Sequence, residues 1–149
     1  LELKVYLLGS RSGVAEKAGK RIKDNYEAVT IAGTHHGYDS VESEGVVEEI
    51  NEADPDILFV GMGVPKQERW ITEHINELEA NVVMGVGGSF DVISGDLPRA
   101  PRWMRDRGLE WLYRIWLEPG RIIKARWIPY FMLRVFWEKG KRTLRKEIL

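Results

Sequence analysis

The stretch that most constrains this chain runs from Asp56 to Trp70, where an apolar run, DILFVG, leads into GMGVPKQERW. Ile57 to Val60 is apolar without alternation, the pattern of a strand covered on both faces in a parallel sheet. Gly61 and Gly63 let the backbone turn sharply and approach a ligand closely. Pro65 suits the first position of a helix, because its φ is already set and its missing N–H would be unpaired there anyway. Lys66, Gln67 and Glu68 then fall in the first helical turn. Open α/β sheets bind ligands outside the carboxyl ends of their strands, and free N–H groups at a helix start favour a phosphate there. This corner is the expected floor of a site.

The same grammar recurs along the chain. Lys4 to Gly9 (KVYLLG) reads as a first strand, followed by a helix from about Val14 to Lys23. Between them, Gly9 to Gly13 is either a backbone nest for a phosphate or an ordinary turn; lacking the G-x-G-x-x-G spacing, it reads better as the turn. Ala28 to Ala32 is a second strand, and Gly33 to Tyr38 (GTHHGY) the loop after it. His35 and His36 read as structural: adjacent side chains diverge, and no third ligand sits at a metal-binding spacing. Tyr38 suits stacking on a base or sugar, and plain packing equally well. Asp39 with Glu42 resembles a capping box for a helix Val41–Ala53, with Val46, Val47 and Ile50 as its buried stripe. Asp54-Pro55-Asp56 has the D-x-D form that holds divalent ions in many sugar-nucleotide enzymes, but it precedes its strand and so reads as a turn at the opposite end of the sheet. A helix Lys66–Glu79 would place Trp70, Ile71, His74, Ile75 and Leu78 near one face. Asn81 to Val86 is a further buried strand. Its exit, GGSFD, offers Gly87 and Gly88 to admit a nucleoside and Asp91 to accept from base N–H or ribose hydroxyls, unless Asp91 merely caps a turn. Residues 1–98 are therefore predicted to form an α/β, Rossmann-like, open and mostly parallel sheet with flanking helices.

Charge divides the chain. The net charge of −1 over 149 residues conceals 8 Lys/Arg against 18 Asp/Glu in residues 1–98, and 14 against 5 in residues 99–149. The second part also holds Trp103, Trp111, Trp116, Trp127 and Trp137, and is predicted to be a basic helical appendage. After an extended Leu97–Arg102 connection come a helix Trp103–Leu117 with Leu109, Leu112, Tyr113 and Trp116 as its apolar side, a break at Pro119-Gly120, and a basic helix Arg121–Trp127. An amphipathic stretch Ile128–Lys141 follows, with Leu133 and Phe136–Trp137 among Arg134, Lys139, Lys141 and Arg142. Aromatics beside basic residues mark a helix lying in a membrane interface, with added attraction to anionic lipid. The plainer reading is a helical subdomain with a solvated basic face; both hold together if Trp103, Trp111 and Trp116 pack inward. A nucleic-acid partner is not expected, since the tail's aliphatic and tryptophan content comes without a nucleic-acid motif. No apolar run approaches the ~20 residues of a membrane span, and no signal-peptide pattern opens the chain. The absence of cysteine suits a reducing cytoplasm. The chain opens at Leu1 almost inside a strand, so an upstream part is expected to be missing.

Gly33–Tyr38 (GTHHGY), Gly61–Glu68 (GMGVPKQE), Gly85–Asp91 (GVGGSFD), Arg99–Trp103 (RAPRW) and Leu109–Arg114 with Glu118-Pro119 follow one another as in the WecG/TagA/CpsF glycosyltransferases, which the chain resembles up to about Arg126. The resemblance implies inverting transfer of an N-acetylmannosamine-type sugar from a UDP donor to a polyprenyl-diphosphate-linked N-acetylglucosamine. This would take place on the cytoplasmic face of the cell membrane, in cell-surface polysaccharide or teichoic acid synthesis. It implies that Gln67 contacts the donor sugar or its diphosphate, and that Tyr38 and Asp91 line the nucleoside pocket. It also implies that Arg114, Arg121 and Lys124 hold donor or lipid diphosphate from an appendage folded over the site. Lys124 stands where the family has Arg, keeping the charge but losing the bidentate fork. No cofactor or metal is implied, cationic side chains standing in for a divalent ion at the departing UDP. The family's general base, an Asp, lies ahead of the strand that opens this chain, so these 149 residues alone are expected to bind donor and membrane yet turn over poorly. A non-catalytic nucleotide-sugar or lipid-headgroup module is the alternative, and a homo-oligomer is compatible with either.

Overall fold

The run KVYLLG lies inside the sheet. In the computed structural model, which describes residues 2–37, 45–117, 130–131, 133–135 and 137–138, it belongs to strand β1 (Leu3–Gly9), whose side chains enter two separate cores. Tyr6 and Leu8 join Leu58, Val60, Val46, Ile50 and Trp70 on one face. Val5 and Leu7 join Val14, Ala15, Ala18 and Phe90 on the other. A strand that buries both faces has no polar side to show, which is why its sequence does not alternate.

Around it stand α1 (Val14–Asn25), β2 (Val29–His35), α2 (Val46–Glu52), β3 (Ile57–Gly61), α3 (Lys66–His74), β4 (Val82–Gly85) and α4 (Ser89–Ile93). All four strands are parallel, in the order β2-β1-β3-β4: an open α/β sheet of Rossmann-like form, with helices on both faces. The chain divides into two compact units, Leu1–Arg99 and Ala100–Leu149, and the sheet belongs entirely to the first.

Several elements differ from their predicted extents, each for a visible reason. β2 continues through Gly33, Thr34 and His35, which the sequence placed in a loop, because β1 supplies ladder partners that far: Tyr6 pairs with Gly33, Leu7 with Thr34 and Leu8 with His35 after a register shift at Val5/Tyr6. Gly33 lies under the Tyr6 ring, where a Cβ would collide with the ring carbons. α2 begins at Val46 in the described residues; its predicted capping box, Asp39 and Glu42, lies outside them. α3 stops at His74 rather than Glu79, leaving Ile75 exposed, and the Asn51 side chain satisfies the chain beyond it by donating to the Glu77 carbonyl (2.8 Å) and accepting from the Glu79 N–H (3.0 Å). β4 was expected to be buried. Among the described residues it pairs only with β3, and Val82 and Met84 are 45% and 51% exposed.

The amino end of the sheet is tied by the D-P-D turn. Lys4 Nζ binds Asp54 (2.8 Å), the Lys4 N–H donates to Asp56 (2.9 Å), and the Lys4 ammonium holds the Asp54 carboxyl below its ordinary range through that hydrogen bond and its charge. The predicted turn reading of Asp54-Pro55-Asp56 therefore holds.

In the second unit the single predicted helix Trp103–Leu117 is two, α5 (Arg102–Asp106) and α6 (Glu110–Leu117). Gly108, at φ +68°, ends α5 in a Schellman arrangement: its N–H donates to Arg105 O (3.0 Å) and the Leu109 N–H to Met104 O (2.8 Å). Trp103, Trp111 and Trp116 are 55%, 50% and 75% exposed, so the packed role considered for them is not observed. Residues 130–131, 133–135 and 137–138 are helical; the predicted helix Arg121–Trp127 lies outside the described residues. Among the described residues no helix is long and apolar enough to cross a membrane.

Candidate functional site

From β1 the chain steps outward to β2, then returns past β1 to β3 and β4. The reversal lies between β1 and β3, and a sheet of this kind opens its ligand crevice outside the carboxyl ends of the strands at that point. The ends are Gly9 and Gly61, paired in register. A Cβ on Gly9 would lie 2.5 Å from the Gly61 carbonyl carbon, and one on Gly61 would lie 2.6 Å from the Phe90 ring. The Ser10 N–H donates to Gly61 O (2.9 Å) and the Gly37 N–H to Ser10 O (2.8 Å), so the exits of β1, β2 and β3 are locked edge to edge. Gly61 thus owes its identity to the close approach of Phe90, not to an open space for a ligand.

Gly63 and Gly87 are different. Their φ angles, +78° and +55°, belong to the left-handed region, and a Cβ on either would meet nothing within 4 Å. Between these two turns lies Gln67, only 5% exposed. Its Oε1 accepts from the Gly87 N–H (2.8 Å) and the Gly63 N–H (3.2 Å), and its Nε2 donates to Glu68 Oε1 (2.9 Å). Lys66, from the same first turn of α3, is exposed; Pro65 precedes the helix instead of opening it, one position earlier than predicted. Gly88 precedes α4, whose first turn carries Asp91.

Asp91 reaches back to the exit of β1. Its side chain is 19% exposed, accepts from Ser10 Oγ at 3.4 Å, and lies 4.0 Å from the Arg11 guanidinium. The β1–α1 turn, read from sequence as an ordinary connection, therefore belongs to this corner. It contributes Ser10, itself at φ +60°, and the exposed cation Arg11. The available signal was position alone, since Gly9 to Gly13 follows a strand at the carboxyl end of the sheet.

One corner thus contains Gly61, Gly63, Gln67, Gly87 and Asp91, with Ser10 and Arg11 added. Tyr38, Arg121 and Lys124 lie outside the described residues; Arg114 belongs to α6, and its side chain is likewise outside them. His35 ends β2 with Nδ1 3.0 Å from Glu49 Oε2, while the other Glu49 oxygen accepts from the Tyr6 hydroxyl at 2.5 Å. Burial, and then that hydrogen bond, push the Tyr6 phenol well above its ordinary range. Among the described residues no group of three or more His, Asp or Glu is placed to hold a metal ion.

The model of the glycosyl transferase WecG/TagA/CpsF family matches residues 1–145. Among relatives, the N-acetylglucosaminyldiphosphoundecaprenol N-acetyl-beta-D-mannosaminyltransferases of Staphylococcus aureus strains NCTC 8325 / PS 47, COL and MSSA476 are each 43% identical over 143 residues. The match covers 96% of this chain and 55% of each relative, so the chain spans about half the length of the curated relatives it matches. With its glycine-lined exits on a parallel sheet and a family match over nearly its whole length, the chain belongs to the WecG/TagA/CpsF family of glycosyl transferases.

Proposed function

We propose that the protein transfers an N-acetylmannosamine-type sugar from a UDP donor to N-acetylglucosamine carried on a polyprenyl diphosphate, with inversion, as part of cell-surface polysaccharide or teichoic acid synthesis. What supports this most strongly is the 43% identity sustained over 143 residues with transferases whose name states that donor sugar and that acceptor. The bond from the anomeric carbon to the UDP oxygen breaks while the acceptor hydroxyl bonds to that carbon from the opposite side. Its proton passes to a general base, a role assigned to no residue of this chain.

The donor is assigned to the carboxyl-end corner, with Asp91 accepting from the nucleoside, Tyr38 stacking on it and Lys66 close to the diphosphate. Arg114, Arg121 and Lys124 neutralise donor or lipid diphosphate, taking the part of a divalent ion as UDP departs. The basic second unit, with its exposed Trp103, Trp111 and Trp116, rests on anionic lipid at the inner face of the membrane.

The test uses the protein as its gene encodes it, given UDP-N-acetylmannosamine and the lipid-linked acceptor. UDP should be released in step with a lipid-linked disaccharide, and chelation of divalent ions should leave the rate unchanged. UDP binding without release would favour a non-catalytic binding module, and absence of UDP binding would overturn the donor assignment.

A further inference from the structure

We propose that Gln67 is a positioning residue whose side-chain carbonyl clamps the β3–α3 turn to the β4–α4 turn, setting the width of the corner. Its amide oxygen has two lone pairs, and both are spent: one on the Gly87 N–H at 2.8 Å, the other on the Gly63 N–H at 3.2 Å. Its Nε2 is tied to Glu68, and the side chain lies in a slot that exists because residue 85 is glycine, where a Cβ would sit 2.6 Å from that Nε2. At 5% exposure, the side chain is a fixed strut between two turns that face open space on their other side.

A chemical consequence follows for the ligand. In a glycine-lined exit the backbone N–H groups are the natural donors to a phosphate oxygen. Here the N–H groups of Gly63 and Gly87 already point at Gln67, so neither serves the diphosphate. Those two amides are therefore closed to the anion, and Gln67 acts on the donor by holding the walls apart. This rests on the donor-site assignment above only for its ligand readout.

Two variants test it. Gln67→Met keeps the length but removes the acceptor. Gln67→Glu combined with Glu68→Gln keeps an oxygen for both glycine amides, preserves the net charge and exchanges the donor with its neighbour. Amide hydrogen exchange and UDP titration are read on each. In the Met variant, exchange at Gly63 and Gly87 should rise about tenfold or more while the Leu8 and Val60 amides keep their protection, and UDP binding should weaken. In the double variant both readouts should return to within about threefold of wild type. Unchanged glycine exchange in the Met variant overturns the clamp. A double variant with restored glycine protection but UDP binding as weak as the Met variant overturns the positioning role, because the amide N–H would then be a direct ligand contact. If the wild-type protein binds no UDP, the donor-site assignment falls while the exchange measurement still decides the clamp.

Discussion

Gln67 and Gly61 show how the same motif can be legible in position and opaque in role. The sequence placed both at the carboxyl end of a buried strand, because an apolar run followed by G-x-G and proline marks a strand turning sharply into a helix. That Gly61 serves Phe90, and that Gln67 ties its own turn to the Gly87 amide, depends on residues about 20–30 positions downstream that no local pattern connects. Arg11 and Ser10 were illegible for the same reason, since their significance comes from Asp91 across the sheet. Gly61→Ala provides the check at this scale. Phe90 is 2% exposed and cannot swing aside, and the Gly87 carbonyl lies 3.1 Å from the added carbon, so overpacking should cost about 1–3 kcal/mol in urea unfolding. A variant as stable as wild type would mean that the ring has room the structure does not give it.

Among the elements, β1 and β3 were read well, and β2, β4 and the end of α3 less well. β1 and β3 declare themselves by apolar runs that enter two cores, whereas the end of α3 is decided by Asn51, a side chain on another helix. β4 was misjudged because an apolar run signals a strand without saying how many neighbours it has. The join between β1 and α2 gives a pH-dependent test. Tyr6 is 1% exposed and donates to Glu49, whose side chain is half exposed, so Tyr6→Phe should cost about 1 kcal/mol at neutral pH, water taking over part of the lost bond. Since burial raises the folded-state phenol above its unfolded value, the unfolded chain ionises first as pH rises. The stabilisation is complete below about pH 10 and declines above it. The gap in stability between wild type and Tyr6→Phe should narrow between neutral pH and about pH 10.5. A gap that stays constant would show that the phenol titrates normally in the folded protein.

For the whole molecule, the decisive feature was legible in the sequence: an acidic sheet-bearing part followed by a basic, tryptophan-rich one. Which tryptophans face outward was not, because helix periodicity reports a face but not what covers it. Trp103, Trp111 and Trp116 are exposed, and with the surrounding Lys and Arg they predict co-sedimentation with vesicles rich in anionic lipid at about 0.1 M salt, weakening steeply as screening increases. Equal binding to neutral vesicles would remove the electrostatic part of that account.

On the proposed function, the exits of β1, β3 and β4 form one corner that holds the uridine diphosphate of a sugar donor. Titrating the protein with UDP while following backbone amide resonances tests it most directly. The account predicts shifts clustered at Ser10, Gly63, Gly87 and Asp91, with the Asp54–Asp56 end of the sheet undisturbed. Shifts clustered at that opposite end, or no saturable shift at all, would contradict it.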